Sequence, residues 1–164
     1  MRAYYDVEFF DELRHRNKKG KVRTPIFVSI GIVRDDGAEL HLVSADFQFD
    51  EEQKKRHWWF YKNVWKQNAG YPRLPDAEIA AQVREFIRPC SLIVTREGGQ
   101  DRAVLENLIG PLTLPYCDIE IVWKGFGNPT LPFRDKRDHV AIDDARWHQT
   151  MFNHVMSPVF ARAA

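Results

Sequence analysis

The sequence contains few cysteines, no long apolar run and no excess of charge of either sign. Its two cysteines, Cys90 and Cys117, do not lie in a closely spaced Cys/His pair of the kind that binds zinc, so both are expected to be buried, reduced thiols. No stretch approaches the ~20 apolar residues that span a bilayer, which excludes an integral membrane protein. The start of the chain lacks the features of a secretory signal, and a cytoplasmic protein is therefore expected.

The charged residues balance in number but are unevenly distributed. The 24 basic and 23 acidic residues leave a formal net charge of +1. This net charge argues neither for nor against nucleic-acid binding. Basic residues concentrate in three segments, 14–23, 54–56 and 134–137. Each segment is either a solvated loop or a phosphate-binding surface, because phosphate contacts need only positive charge within reach.

The length and pattern of the chain predict one compact α/β domain over residues 1–157 and a frayed tail over residues 158–164. The first third is rich in β-branched and aromatic residues, a composition typical of strands. Three strands are predicted there, over residues 3–9, 26–33 and 39–47. Asp36-Gly37 separates the second strand from the third and indicates an antiparallel hairpin, because glycine accepts the positive φ of a tight turn.

Helical periodicity follows from residue 51 onward. A helix is predicted over residues 51–67, although its many aromatic residues leave the apolar face ill defined, and a second helix is predicted from an Asp76 N-cap to Pro89. The remaining pattern predicts a strand over 91–95, a helix over 101–109, a strand over 118–123, a loop over 125–138 and a helix over 139–155. This order describes a mixed five-stranded sheet with helices on both faces, the architecture of the ribonuclease H-like fold.

Asp6 and Glu8 are two carboxylates on the predicted first strand. Residues two apart on a strand point to the same face, so both side chains project together from an otherwise apolar segment. Burying unpaired carboxylates is costly, and bound cations would remove that cost. Polar residues also alternate on ordinary edge strands, so this pair alone does not identify a metal site.

Two further acidic positions follow later in the chain. Asp101 opens a predicted helix just after a strand, which is where binding residues collect in α/β sheets. The predicted last helix opens with His139, followed by Asp143 and Asp144. Taken singly, each aspartate is equally explained as a helix N-cap and the histidine as a surface residue.

Together, these residues form an ordered pattern: Asp-x-Glu on the first strand, an aspartate after the fourth strand, and His-x-x-x-x-Asp on the last helix. In this pattern the sequence resembles the DEDDh 3′-to-5′ exonucleases, such as RNase T and oligoribonuclease, and looks closest to the small mycobacterial-type 3′-to-5′ exoribonuclease branch. Four blocks carry the resemblance: Tyr5-Asp6-Val7-Glu8-Phe9, Ser29-Ile30-Gly31-Ile32-Val33, Asp101-Arg102-Ala103-Val104-Leu105 and His139-Val140-Ala141-Ile142-Asp143-Asp144-Ala145-Arg146.

The resemblance implies a magnesium-dependent enzyme with two bound ions, for which Mn²⁺ would substitute. The implied metal ligands are Asp6, Glu8, Asp101 and Asp144, and such hard oxygen donors suit Mg²⁺. His139 would be the general base, because an imidazole titrates near neutral pH. Asp143 competes with Asp144 for the metal role, since it lies one helical turn from His139, but the family spacing selects Asp144.

The implied substrate is single-stranded RNA or an RNA 3′ overhang, hydrolysed to nucleoside 5′-monophosphates. Phe9 would pack against the terminal base, although it also suits the core, and Phe10 is assigned to the core. Phosphate contacts are expected from Lys18, Lys19 and Lys21. The aromatic residues of segment 58–65 are interpreted as core or dimer packing rather than as a stacking platform.

Related exoribonucleases are often homodimers, and the resemblance implies the same here. Two alternatives stay open: a 3′-to-5′ DNA exonuclease on the same fold, and a catalytically silent nucleic-acid-binding module. The silent module is disfavoured because all five catalytic positions hold the required residue types.

Overall fold

The computed structural model describes residues 1–17, 20–96, 98–134 and 139–163. Its strands form one six-stranded sheet in the order β4-β3-β2-β1-β5-β6. The strands are β1 (Arg2–Asn17), β2 (Gly20–Arg34), β3 (Glu39–Ser44), β4 (Arg73–Leu74), β5 (Leu92–Thr95) and β6 (Tyr116–Asp118). The predicted α/β class and mixed sheet are confirmed, but the predicted count of five strands was one short, because the two-residue strand β4 adds an edge next to β3.

Strand β1 lies inside the sheet rather than at its edge. It pairs antiparallel with β2 on one side and parallel with β5 on the other. Strands β2 and β3 are antiparallel, as the Asp36-Gly37 hairpin predicted, while β5 and β6 are parallel. The Asp-x-Glu pair therefore cannot be explained as the solvent face of an edge strand.

The antiparallel pairing of β1 and β2 extends much further than predicted. It continues to the pair Asn17 and Gly20, with register shifts at Glu8/Phe9 and Leu13/His15. The basic segment expected to be a loop is thus mostly the end of a long two-stranded ribbon. Its strand residues were missed because the segment is rich in charged residues, which are less common in strands than β-branched and aromatic ones.

Six α-helices cover the described part of the sheet. They are α1 (Glu51–Arg56), α2 (Trp58–Phe60), α3 (Asp76–Ile87), α4 (Gly99–Ile109), α5 (Ile119–Gly125) and α6 (Ala141–Ala163). A π-helical turn over Tyr61–Trp65 and a 3₁₀ turn over Lys66–Asn68 follow α2. The segment predicted as one helix over residues 51–67 is therefore helical in several pieces, interrupted at His57. None of these helices has both the length and the apolar character needed to cross a membrane.

Two local predictions were wrong. Asp76 lies inside α3 and not at its N-cap, which is Pro75; the Asp76 carboxylate instead accepts a hydrogen bond of 2.5 Å from the Ser44 hydroxyl. The strand predicted over residues 118–123 ends at Asp118, whose side chain caps α5 by accepting from the Glu120 N–H at 2.9 Å. A capping aspartate thus outweighed the β-branched residues that suggested a strand.

The last helix also differs from its prediction at both ends. His139 precedes α6 instead of opening it and has a positive φ of 66°. At the other end, α6 continues through Pro158 to Ala163, where the sequence predicted a frayed tail.

Apolar side chains fill both faces of the sheet. One face packs against α3 and α4, with Tyr5, Ile32 and Leu105 at the centre of that core. The other face packs Tyr4 and Val94 against α5 and α6. A separate aromatic core forms around Phe10 beneath the helical segment after β3. Of the two cysteines, both free, Cys90 is buried as predicted and Cys117 is half-buried.

Gly31 allows the start of α6 to lie directly on the sheet. A Cβ atom at this position would lie 2.2 Å from the Ile142 nitrogen, so any larger residue would push the helix away. Gly31 is also the antiparallel partner of Asp6. The close approach therefore brings the beginning of α6 next to the acidic pair of β1.

Candidate active site

Three predicted metal ligands lie together where β1 meets the beginning of α6. Oxygen atoms of Asp6, Glu8 and Asp144 all lie within 4.8 Å of one another. Asp6 is half-buried, and Glu8 and Asp144 are buried. The strand places the first two on one face, and the contact at Gly31 places the third opposite them. The sequence predicted this grouping although 136 positions separate Glu8 from Asp144 along the chain.

The three carboxyl groups resist ionisation in the metal-free protein. Desolvation raises the pKa of Glu8 to about 8, with the charges of Asp144 and Asp101 adding to the effect. Desolvation also raises the pKa of Asp6 well above its usual range, with a further contribution from Glu8, and raises the pKa of Asp144. Bound cations would reverse these effects, and clustered carboxylate oxygens fit the ligand preference of Mg²⁺ or Mn²⁺.

Asp101 lies on the wall of the same cavity but outside the cluster of three. It occupies the first turn of α4, and one of its oxygens accepts a hydrogen bond of 3.1 Å from the Thr95 hydroxyl. Its charge contributes to the raised pKa of Asp6, which places the two groups in the same electrostatic environment. The structure thus brings three of the four predicted ligands together and the fourth nearby.

Asp144 and Asp143 make different contacts. Asp144 accepts a hydrogen bond of 2.9 Å from the His139 backbone N–H and forms an ion pair with Arg134. Asp143 pairs with Arg146 at 2.7 Å and does not join the carboxylate cluster. The geometry therefore favours Asp144 as the acidic residue of the site, in agreement with the family spacing.

The His139 ring stands at the opening of the cavity. Its side chain is 44% exposed, and its Nδ1 atom lies 3.9 Å from a Glu8 oxygen. The Trp59 ring packs edge to face against it with centroids 4.9 Å apart. The positive φ of His139 is unusual for a residue with a side chain, and such conformations are concentrated at functional sites.

The cavity has a volume of about 490 Å³ and combines the acidic cluster with cationic and aromatic walls. Besides the acidic residues and His139, its lining includes Phe9, Trp59, Arg96, Gln100, Arg134 and His148. Phe9 also packs against the core. Its side chain therefore contacts the core and also lines the cavity, where the sequence suggested that a terminal base would pack. Phe10 is a buried core residue, as predicted.

Several of these residues were missed in the sequence. His148 donates from Nδ1 to the Tyr5 carbonyl over 2.9 Å and so ties α6 to β1. Burial lowers the pKa of its imidazole to about 4, which keeps the ring neutral. Its position four residues after Asp144 is a helical spacing that places both on one face of α6, and this was the available signal. Arg134 belongs to one of the three basic segments, which was the available signal, but the sequence did not assign it to the site. Arg96 had no comparable signal, because only the tertiary structure brings it to the cavity.

The aromatic segment after β3 divides into two parts. Phe60, Tyr61 and Trp65 pack against the core around Phe10, as the sequence interpretation favoured. Trp58 and Trp59 are 60% and 59% exposed, and Trp59 lines the cavity. Phe60 lines the cavity as well, so the segment contributes two rings to the site, of which the core interpretation did not anticipate Trp59.

The basic residues expected to contact phosphate cannot be placed against the cavity. Lys18 and Lys19 lie outside the described residues, and Lys21 is described only as a backbone position of β2. Their role in RNA binding stays a prediction.

Comparisons with known proteins identify relatives with exonuclease names. The chain is 27% identical to proteins named 3′-5′ exoribonuclease from two Mycobacterium tuberculosis strains, CDC 1551 / Oshkosh and ATCC 25618 / H37Rv. Each alignment covers 96% of this chain and 94% of the relative. No protein-family model matches the chain.

Two solved structures share the fold. The Mg²⁺- and Mn²⁺-bound form of S. pombe Pop2p superposes with a TM-score of 0.63 at 15% identity, covering 97% of this chain and 84% of Pop2p. The RNA exonuclease module of Saccharomyces cerevisiae Pan2, solved in complex with AAGGA RNA, gives a TM-score of 0.58 at 13% identity, covering 98% of this chain and 30% of the Pan2 chain. The resemblance to 3′-to-5′ exonucleases is thereby confirmed, and the chain has a ribonuclease H-like exonuclease fold.

Proposed function

We propose that the protein is a metal-dependent 3′-to-5′ exoribonuclease that removes nucleoside 5′-monophosphates from single-stranded RNA ends or 3′ overhangs. The observation that carries this proposal is the cluster of Asp6, Glu8 and Asp144 beside His139 in one open cavity. The names of the relatives support RNA as the substrate.

Asp6, Glu8 and Asp144 would hold the metal ions, with Asp101 completing the set from the cavity wall. Two Mg²⁺ ions, or Mn²⁺ in their place, supply charge neutralisation at the phosphoryl group and lower the pKa of the attacking water. The protein orients these ligands through the strand geometry of β1 and through the His139 N–H, which holds one oxygen of Asp144. The Thr95 hydroxyl does the same for Asp101.

His139 is proposed to accept the proton of the attacking water. The ring stands next to the carboxylates but is not part of their cluster, so it is free of a ligand role and can exchange its proton with solvent. Its contact with Trp59 restricts the orientation of the imidazole. This arrangement supports the proposed role, because a general base needs a position beside the metal ligands and access to water.

The walls of the cavity suit the end of an RNA strand. Phe9 and Trp59 offer rings on which bases can stack without regard to sequence. Arg96 and Arg134 offer charge for phosphate groups. Beyond the cavity, we propose that Lys18, Lys19 and Lys21 contact the RNA backbone.

Digestion of matched RNA and DNA oligonucleotides tests the proposal directly. We expect Mg²⁺-dependent shortening of the RNA from its 3′ end, with 5′-monophosphates as products. Preparations of Asp144→Asn provide the control for contaminating nucleases. Faster cleavage of DNA would establish the DNA exonuclease alternative, while cleavage of neither strand by folded, metal-loaded protein would establish the silent binding module.

A homodimer and a cytoplasmic location are further parts of the proposal. Sedimentation analysis checks the oligomeric state, with a mass near 39 kDa, twice the 19.3 kDa of one chain, expected for a dimer.

A further inference from the structure

The Arg134 guanidinium lies beside the carboxylate cluster and pairs with one of its members. Its Nη2 atom forms an ion pair with the Oδ1 atom of Asp144, and the Arg134 side chain is only 23% exposed. The other Asp144 oxygen accepts the His139 backbone N–H at 2.9 Å. Both oxygens of Asp144 are therefore engaged within the chain when no metal is bound.

Arg134 also compensates the charge of the whole cluster. Its positive charge lowers the pKa of Asp6, Glu8 and Asp144, and so opposes the desolvation that raises all three. Arg96 lines the same cavity but forms its ion pair with Glu120 at 3.0 Å. Two arginines thus line one cavity, and the Arg134 guanidinium is paired with a carboxylate of the cluster.

We propose that Arg134 is an internal counter-cation that occupies the site in the metal-free protein, leaves Asp144 when a divalent cation binds, and then takes up a phosphate group of the RNA. The inference rests on the proposed function of the carboxylate cluster as a metal site. A divalent cation and a guanidinium about 4 Å apart repel each other strongly in a partly buried site, so Asp144 cannot serve both fully at once.

The displaced guanidinium has a suitable second partner. It lies in the cavity that would receive the RNA end, where an arginine can bind phosphate through two parallel hydrogen bonds. Phosphate binding by Arg134 would remove it from Asp144 and favour metal binding. By linkage, metal binding would favour phosphate binding to the same extent.

Calorimetric titration of metal-free protein with Mn²⁺, in the absence of RNA, tests the first step. Arg134→Gln removes the competing charge, and we expect its Mn²⁺ affinity to rise by about tenfold or more over wild type. Arg96→Gln is the matched control, because it removes an arginine of the same cavity whose ion pair is with Glu120, and its Mn²⁺ affinity should rise much less than that of Arg134→Gln.

The outcomes separate this inference from the proposed function. Absence of Mn²⁺ binding by the wild-type protein would overturn the metal site itself. Wild-type binding combined with an unchanged or weaker affinity in folded Arg134→Gln would overturn only the counter-cation. The phosphate step is tested with RNA in Ca²⁺, where Arg134→Gln should bind RNA more weakly than wild type; equal binding would overturn that step.

A measurement on the wild-type protein does not depend on the folding of any variant. The Nε–Hε resonance of Arg134 in ¹⁵N-labelled protein should shift as Mg²⁺ is added, because the guanidinium changes partner. The corresponding resonance of Arg96, held by Glu120, should move much less. An Arg134 resonance that does not respond while Mg²⁺ binds would contradict the displacement.

Discussion

Asp144 illustrates how much depends on single residues in this protein. It follows Asp143 directly, yet one carboxylate faces a cluster of acids and the other faces Arg146. Neighbouring positions on a helix point about 100° apart, so only one of the two can reach Asp6. This difference makes the pair an internal control for the site.

Asp144→Asn should abolish RNA hydrolysis, whereas Asp143→Asn should retain most of it. Asparagine keeps the shape of the side chain but removes the charge that would bind metal. Removing one of several repelling carboxylates should leave the thermal unfolding temperature of Asp144→Asn near that of wild type. Rates from a single-turnover assay check the prediction, and the opposite ranking of the two variants would transfer the metal role to Asp143.

His139→Ala should lower the rate of hydrolysis by about 10²- to 10⁴-fold, which is the usual contribution of a general base. Metal and RNA binding should stay close to wild type, because the ring is not in the cluster of potential ligands. The measurement combines a single-turnover rate with a Mn²⁺ titration. A loss of Mn²⁺ affinity would make His139 a ligand, and an unchanged rate would remove it from the mechanism.

The contact between β2 and the start of α6 shows how elements assemble the site. Gly31 faces the backbone at Ala141 and Ile142, and its β1 partner is Asp6. A glycine in a central strand normally weakens a sheet, since it has no side chain to pack. Here it permits the close approach of a helix, and that approach places Asp144 beside β1.

Gly31→Ala should therefore damage both stability and activity. The added methyl group would meet the α6 backbone, and overpacking of this kind costs about 1–3 kcal/mol of the free energy of unfolding. Displacement of the helix should also weaken Mn²⁺ binding. Urea unfolding and a Mn²⁺ titration measure the two effects, and Gly70→Ala is the control because a Cβ there would meet nothing within 4 Å. Equal behaviour of both variants would mean that the helix start adjusts freely.

The elements also show where the local sequence was misleading. Residues 119–123 are mostly β-branched or aromatic, a composition typical of strands, but the Asp118 cap starts α5 there. The aromatic run after β3 contributes three rings to the core around Phe10 and two, Trp59 and Phe60, to the cavity, so that Phe60 belongs to both. The local pattern predicts whether a side chain is buried or exposed. Which residues it contacts depends on elements that are distant in the chain.

At the scale of the whole molecule, two histidines should reduce stability in mild acid. Withdrawal from water lowers the pKa of His41 and of His148 to about 4, from the ordinary value of 6.5. Between these values the unfolded chain binds protons that the folded protein does not, so the free energy of unfolding falls as the pH falls. The loss at pH 5 should reach up to about 2 kcal/mol for each histidine.

His41→Phe isolates this effect, because the new ring can keep the contact with Tyr71, whose centroid lies 3.9 Å from that of His41. The stability of the variant should fall less than that of wild type between pH 7 and pH 5. Urea unfolding of both proteins at pH 7 and pH 5 gives the two losses in the free energy of unfolding. The site carboxylates contribute equally to both losses, because both proteins contain them. Equal losses in the two proteins would show that His41 is protonated as easily in the folded state as in the unfolded one.

Activity should depend entirely on divalent cations. We expect RNA hydrolysis to stop in excess chelator and to return with Mg²⁺ or Mn²⁺, whereas Ca²⁺ should bind without supporting turnover. Binding should also raise the thermal unfolding temperature, because a ligand at about 100 times its Kd stabilises the folded state by about 2.7 kcal/mol. Full activity in chelator would contradict the proposed metal site.

The sequence by itself determined the type of fold and the identity of the acidic residues. Period-two apolar segments followed by helical ones predicted the mixed sheet, and Asp6, Glu8, Asp101, His139 and Asp144 were predicted as site residues because their order and spacing resemble those of the DEDDh exonucleases. The strands and helices could be predicted because their periodicities and caps depend on residues close in the chain. The acidic residues, which lie far apart in the chain, could be grouped only through the resemblance.

Only the tertiary structure decided which side chains surround the acids. Arg96, Arg134 and Trp59 come from three separate segments, and no local pattern links any of them to β1. The structure also decided that β1 is a central strand and that α6 approaches it over Gly31. The physical reason is that packing contacts and interactions between charges depend on the distance between side chains. For residues far apart in the chain, that distance is known only from the packing of the strands and helices.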